Sequence, residues 1–169
     1  MDSRERLFAD QSNQRNSKCL SGTTEPVTTL ITGSSGFVGM NLCSELLARN
    51  HEIHRVIRSR KTSDMHYSTR DHFYVIDKIG ANTDWSATLA GINCVIHCAA
   101  RSHVMDKDKA DALAAYRAVN VEGTKNLAEQ AAGSGVKRFI FLSSIKVNGE
   151  RTISGSRFTS ADNAFPKDA

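Results

Sequence analysis

The sequence is poor in proline, in aromatic residues and in long apolar runs. It has two prolines among 169 residues, and aromatic residues make up 7% of the chain. No apolar run is long enough for a membrane-spanning helix, and glycine and proline are too few for a collagen-like chain. Hydrophobic residues at 40% and charged residues at 24% exclude a wholly disordered chain. The composition predicts a soluble globular protein of one domain.

The chain also lacks a strong excess of either charge. Its formal net charge is +4 and its isoelectric point is about 9.0. The densest basic cluster, formed by Arg55, Arg58, Arg60 and Lys61, has no interleaved aromatic residues. We therefore expect no nucleic acid and no membrane as partner, because a small excess of charge spread over a domain is an ordinary surface. A small phosphorylated ligand fits this segment better.

Cysteine is scarce, and no metal-ligand pattern accompanies it. The sequence begins without a signal-peptide pattern, so we expect a cytoplasmic protein without disulfides. His97 and Cys98 lie in an apolar stretch, where thiols usually behave as small buried side chains. His51 and His54 lack the spacing of ligands on a helix, so we expect no metal site. The cysteines are Cys19, Cys43, Cys94 and Cys98.

Residues 1–26 stand apart from the rest of the chain. They are rich in Ser, Asn, Gln and Arg, their acidic and basic residues balance, and they show no sustained hydrophobic periodicity. We expect them to form a flexible leader or extension. Residues 27–169 are expected to fold as the single domain.

Strand and helix patterns alternate along residues 27–169. Apolar and β-branched runs predict strands at 27–32, 52–57, 72–76, 93–98 and 138–142. Apolar residues at three- and four-residue steps predict a helix from Val38 to a left-handed cap at Asn50, another over 111–132, and a helical turn at 85–89. This alternation predicts an α/β fold with a doubly wound parallel sheet in the order 3-2-1-4-5.

The most informative motif is a glycine-rich turn between the first strand and the first helix. Gly33 permits a tight turn, Gly36 lets the backbone approach a pyrophosphate, and Gly39 lets the helix pack closely on the sheet. Exposed amides and the helix dipole would then hold the anion. The alternative is a βα turn with a purely structural role.

Together with this turn, three further segments resemble a known family. They are 95–100 (VIHCAA), 120–124 (NVEGT) and 139–144 (FIFLSS). In order and spacing they are similar to the extended short-chain dehydrogenase/reductases, and more narrowly to the NAD-dependent epimerase/dehydratase group that acts on nucleotide sugars. The resemblance covers residues 27–169 and implies a Rossmann-like domain that binds NAD or NADP.

The resemblance also implies roles for single residues. The amides of Phe37 and Val38 would lie near the pyrophosphate, and Ser144 would be the catalytic serine that bonds the reacting sugar oxygen. Without the resemblance, serines at a strand end would be expected to satisfy local backbone groups. Further cofactor residues would be Asp77 at the adenine, Ala99 and Ala100 at the nicotinamide, Asn120 and Ser143; Ser102, His103 and Asn148 would face the substrate.

Two departures from the family pattern affect the expected ligands. Where relatives have an acidic residue that marks NAD, this chain has Arg58 after the second strand. A guanidinium can pair with a 2′-phosphate, so we expect NADP as well as NAD; a solvated basic loop is the alternative. Asn148 stands where many relatives have tyrosine, which leaves the substrate subgroup open.

The catalytic Tyr-x-x-x-Lys pair of the family is missing. Tyr74 and Lys78 have the right spacing, but they fall on a strand, where they cannot face one direction. We therefore expect an incomplete domain, ending before that tyrosine, from an enzyme that transfers hydride between a nucleotide sugar and NAD(P), with little turnover of its own. A non-catalytic NAD(P)-binding sensor and an NADPH-dependent carbonyl reductase remain alternatives, and a homodimer remains open.

Overall fold

The computed structural model describes residues 27–59, 68–102, 109–152 and 154–166. Several sequence predictions lie outside these ranges. They concern the leader at 1–26, Cys19, Arg60 and Lys61, and the predicted substrate residue His103.

Five parallel strands form one sheet in the order β3-β2-β1-β4-β5. The predicted doubly wound fold and its strand order are therefore confirmed. The order reverses between β1 and β4, which lie side by side at the centre of the sheet. The strands are β1 Thr28–Thr32, β2 Glu52–Ile57, β3 Asp71–Val75, β4 Cys94–His97 and β5 Arg138–Phe141.

The helices lie in the connections between strands, as the crossover rule for parallel strands requires. Their bounds are α1 Phe37–Ala48, α2 Ser86–Leu89, α3 Lys109–Arg117 and α4 Thr124–Gly133. A π-helical turn, Ala118–Gly123, joins α3 to α4, and a short 3-10 helix, Ile145–Asn148, follows β5.

The long helix predicted at 111–132 is not regular, and this prediction needs correction. It begins at Lys109, and its middle is the π turn between α3 and α4. Two features tie this wider turn to other segments. The Asn120 side chain bonds the backbone of Arg101, and Gly123 packs so closely on Ile79 that an added Cβ would lie 2.7 Å from Ile79 Cγ2. Single π-helical turns of this kind are frequent at functional sites.

Helix α1 begins and ends close to its predicted limits. Asn50 has a φ of 64°, which confirms the left-handed residue after the helix. Cys43 is fully buried, whereas Val38 remains 47% exposed.

Apolar side chains cover both faces of the sheet. One layer lies beneath α1 and contains Ile31, Cys43 and Ile53. The other lies beneath α2 and α4, around the buried Trp85. Its remaining buried members are Leu30, Val56, Leu89, Ile92, Val95, Leu127 and Ala131.

Among the residues that the structure describes, no helix combines the length and apolar character needed to cross a lipid bilayer.

Candidate functional site

The glycine turn leaves no room for side chains at its two ends. Gly33 has a φ of +67°, and a Cβ there would lie 2.7 Å from Ala99 N, in the segment after β4. A Cβ at Gly39 would lie 2.2 Å from Gly33 O. Gly36 N donates to Gly33 O at 2.9 Å and closes the turn. The turn therefore packs backbone against backbone, and α1 starts directly beside the exit of β4.

The N-terminus of α1 is open to a ligand. Gly36 precedes the helix without a side-chain cap, and the first turn contains no acidic residue. Met40 N donates to Gly36 O, so the amides of Phe37, Val38 and Gly39 precede the first bond of the helical ladder. Phe37 is 84% exposed and Val38 is 47% exposed, whereas Gly39 is buried. The amides of Phe37 and Val38, together with the helix dipole, can hold an anionic group.

A buried histidine connects the strands at the centre of the site to α4. His97 Nδ1 lies 2.6 Å from Thr32 Oγ1, and His97 Nε2 lies 3.0 Å from Thr124 Oγ1. Ala99 N donates to Thr32 Oγ1 at 3.3 Å. A neutral imidazole has one donor and one acceptor nitrogen, which hydroxyl groups can match. Burial lowers the pKa of His97 and favours this neutral form.

Sequence reasoning missed this hydrogen-bonded chain. In the sequence, His97 stands beside Cys98 and suggests only a metal ligand. Thr32 and His97 are register partners on β1 and β4, but they are 65 residues apart in the chain. The signal that could have found them is that each residue ends its strand with a hydrogen-bonding side chain.

Asn120 fixes the segment that follows β4. Arg101 N donates to Asn120 Oδ1 at 2.7 Å, and Asn120 Nδ2 donates to Arg101 O at 3.0 Å. This pair of bonds ties the chain between Ala100 and Ser102 to the π turn. The structure thus gives Asn120 a positioning role at the predicted site.

The end of β2 is joined to the glycine turn. Ser34 Oγ donates to Val56 O at 2.9 Å, in a buried position. Arg58 follows β2 and is exposed, and Asp77 is exposed beyond the end of β3. Both predicted cofactor residues therefore lie at the carboxyl edge of the sheet, on the β2 side of the glycine turn.

Ser143 and Ser144 follow β5 at the other side of this edge, and both are exposed. Ser144 Oγ accepts a hydrogen bond from Lys146 N at 3.2 Å and caps the 3-10 helix. Its hydroxyl proton remains available to a ligand. Asn148 ends the same helix, and its Nδ2 donates to Asp162 O at 3.4 Å. The catalytic and substrate roles of these residues stay predictions.

The alternative acid/base pair does not form a helical pair. Tyr74 belongs to β3, where its ring stacks on His54 with centroids 5.2 Å apart. Lys78 lies beyond the end of that strand and is exposed.

The described part of the chain thus gathers most predicted site residues at the carboxyl ends of the strands, around the point where the strand order reverses. The sequence pattern of the NAD dependent epimerase/dehydratase family matches residues 29–166. The chain belongs to this family. The match includes the glycine turn, the segment after β4, the π turn and the serines after β5.

Curated relatives carry different activities. A UDP-glucose 4-epimerase from Vibrio cholerae is 45% identical over 152 residues, which are 89% of this chain and 44% of that enzyme. A 3-beta-hydroxysteroid dehydrogenase from Mycolicibacterium neoaurum is 35% identical over 132 residues, which are 75% of this chain and 35% of that enzyme. The chain therefore spans less than half the length of these relatives.

A solved structure has the same fold. It is a short-chain dehydrogenase/reductase superfamily protein from Agrobacterium tumefaciens with bound NAD. Its TM-score is 0.66 at 27% identity, and the match covers 83% of this chain and 40% of that protein.

Proposed function

We propose that the chain is the NAD(P)-binding part of an enzyme that acts on nucleotide sugars, close in type to a UDP-sugar 4-epimerase. The observation that carries this proposal is the glycine turn, where Gly33 and Gly39 bring the open N-terminus of α1 against the exit of β4. In doubly wound sheets, dinucleotides bind where the strand order reverses, with their pyrophosphate at such a helix N-terminus.

The residues present fit a dinucleotide. The amides at the start of α1 would bind the pyrophosphate, because they precede the helical ladder and no side chain caps them. Ala99 and Ala100 would line the nicotinamide side, held in place by the Thr32 and Asn120 hydrogen bonds. When bound, a nicotinamide cofactor can accept a hydride from the substrate and donate it back. Asp77 would lie at the adenine end.

The similarity to the Vibrio cholerae UDP-glucose 4-epimerase supports a nucleotide-sugar substrate. The Ser144 hydroxyl would donate a hydrogen bond to the reacting sugar oxygen, and Ser143 would lie near the cofactor. Ser102, His103 and Asn148 would face the substrate from the loops after β4 and β5.

Binding without normal turnover is the second part of the proposal. The sequence has three tyrosines, and Tyr74 alone has a lysine four residues later. Because Tyr74 lies in a strand, it cannot share a helix face with Lys78. A tyrosine needs a nearby cation to lower its pKa for acid/base work. The chain as it stands would therefore bind the cofactor and transfer hydride poorly.

The position of Arg58 supports NADP at least as strongly as NAD. Arg58 is exposed and follows directly after β2. The Val56 carbonyl of the same strand accepts a hydrogen bond from Ser34 of the glycine turn. A 2′-phosphate would pair with the Arg58 guanidinium, whereas ribose hydroxyls would prefer a carboxylate.

The test is fluorescence titration of the 169-residue chain with NADH and with NADPH. We expect saturable binding of both, with NADPH bound at least as tightly. Arg58→Asp should shift the affinity ratio towards NADH by about tenfold or more. Arg49→Ser, at the opposite end of α1, is the matched control and should change neither affinity. Equal failure with both cofactors would refute the binding proposal, and an unchanged ratio in Arg58→Asp would refute the role of Arg58.

The steroid dehydrogenase relative favours a second candidate, an NAD(P)-dependent dehydrogenase or reductase with a non-sugar substrate. Competition separates the two. UDP should change the fluorescence of the NADH-loaded chain if the site accepts a nucleotide sugar, whereas a 3-hydroxysteroid should do so if the second candidate holds.

We also propose the domain limits and the compartment that the sequence predicts. Residues 27–169 would form the cofactor-binding unit, with 1–26 outside it. A reducing cytoplasm would suit Cys43, Cys94 and Cys98, which are free thiols in the structure.

A further inference from the structure

A second group of chemically active side chains lies at the opposite edge of the sheet from the glycine turn. Glu52 and His54 are two residues apart on β2 and face the same side. His72 on β3 is the register partner of His54, so it faces that side as well. One donor atom from each of the three residues lies within 4.8 Å of the others.

The spacing of these donor atoms is close to that of metal ligands. Glu52 Oε1 lies 3.2 Å from His72 Nε2 and 3.6 Å from His54 Nε2. Bonds of about 2.0–2.1 Å to a tetrahedral metal place neighbouring donor atoms about 3.3 Å apart. Two of the three separations are thus close to ligand spacing, and the third, which is within 4.8 Å, would shorten by rotation of the partly exposed His72 side chain.

His54 is buried with incomplete hydrogen bonding. It is 8% exposed, and its Nδ1 has no hydrogen-bond partner among the described residues. Its Nε2 lies 3.6 Å from Glu52 Oε1, which is longer than an ordinary hydrogen bond. An ion bound between Nε2 and Glu52 would replace this long contact with two ligand bonds.

The surroundings hold the imidazole rings in place and leave one side open. The His54 ring stacks on Tyr74 and meets the edge of the His72 ring, with centroids 4.8 Å apart. The side chains of His72 and Glu52 are 43% and 36% exposed. Water can therefore reach the cluster and complete the coordination of an ion.

We propose that Glu52, His54 and His72 bind one first-row transition-metal dication, of which Zn²⁺ fits the donor set. Two imidazole nitrogens and one carboxylate favour zinc over calcium or magnesium, which prefer oxygen ligands. The ion would link edge strand β3 to β2 at their amino ends, away from the carboxyl ends of the strands, where dinucleotides bind.

The test uses the metal-free 169-residue chain. Zinc binding is measured by competition with a chromophoric chelator, and Co²⁺ absorption reports the coordination. We expect one zinc per chain and a rise in Tm of about 5 °C at saturating zinc. His72→Gln and Glu52→Gln should each weaken zinc binding about tenfold or more, as loss of a ligand does. Both side chains are partly exposed, so these variants should remain folded, as circular dichroism would verify.

His51→Gln is the matched control, since His51 precedes β2 and lies outside the cluster. It should bind zinc as the unchanged chain does. Zinc affinity that is the same in His72→Gln and in the control would overturn the proposal, because binding would then come from other histidines or cysteines. Absence of any zinc-dependent change in Tm or in Co²⁺ absorption would overturn it too.

Discussion

Gly39→Ala should destabilise the fold and weaken cofactor binding together. A Cβ at this position would lie 2.2 Å from Gly33 O and 2.8 Å from Gly33 C and from Ser34 Cα. All three are backbone atoms, so α1 or the turn must move by about 1 Å to restore an ordinary contact. Overpacking of this severity costs about 3 kcal/mol, at the upper end of the usual range. The better helix propensity of alanine returns about 1 kcal/mol.

The expected net loss is thus about 2 kcal/mol, which should lower the urea midpoint by about 1 M. Displacement of α1 also moves the amides of Phe37 and Val38. Loss of one hydrogen bond to a charged pyrophosphate should weaken NADH binding by about tenfold or more. The urea midpoint and the NADH affinity are measured on the same preparation, the first by urea titration and the second by NADH fluorescence without urea.

Gly133→Ala is the control. Gly133 ends α4, and a Cβ there would meet nothing within 4 Å. This substitution should raise stability by about 0.4–1 kcal/mol and leave NADH binding unchanged. If Gly39→Ala unfolds and binds like the unchanged chain, the close packing of the turn is not what positions α1.

Three further predictions concern buried ionisable groups. Burial raises the pKa of the Cys43 thiol to about 11. As the pH rises, this thiol therefore loses its proton in the unfolded chain before it does so in the folded chain. About 2–3 kcal/mol of the free energy of unfolding should be lost between pH 9 and pH 11. Urea titrations of Cys43→Ala should lack this loss, and an equal loss would contradict the prediction. Burial lowers the pKa of His97, so its contribution to stability is present above pH 6.5 and is lost as the pH falls below it. His97→Asn should flatten this acid limb, and an unchanged limb would count against His97. Arg55 Nε lies 2.7 Å from Asp71 Oδ1, with the Asp71 side chain fully buried. Asp71→Asn should therefore lower the free energy of unfolding in urea by about 3 kcal/mol, and the double variant with Arg55→Met should recover part of this loss. If Asp71→Asn unfolds at the same urea concentration as the unchanged chain, the ion pair is not needed for stability.

The strands were predictable because each is a short segment that contains β-branched or aromatic residues and is bounded by polar or glycine-containing segments. β2 matches its predicted range, and the other strands differ only at their ends. The strand order followed from the alternation of strands and helices, since right-handed crossovers leave few topologies. The π turn was not predictable, because it depends on Asn120 and Gly123 meeting segments far away in the sequence.

The glycine turn was recognisable from its spacing, but its partners were not. Nothing in the sequence shows that Gly33 packs against Ala99, or that Thr32 and His97 share a hydrogen bond. These contacts depend on the register of β1 against β4. The same limit hid the cluster of Glu52, His54 and His72, whose histidines come from different strands.

The backbone packing of the glycine turn also restricts how this chain can diverge. Where a side chain collides with another side chain, a smaller residue at the second position can restore the fit. At Gly33 and Gly39 the nearest atoms are backbone atoms, which every residue carries. Replacing either neighbour by a smaller residue therefore cannot make room there, and only a shift of the backbone can. In a lineage that lost the need for a cofactor, substitution of Gly33 or Gly39 would still destabilise the fold.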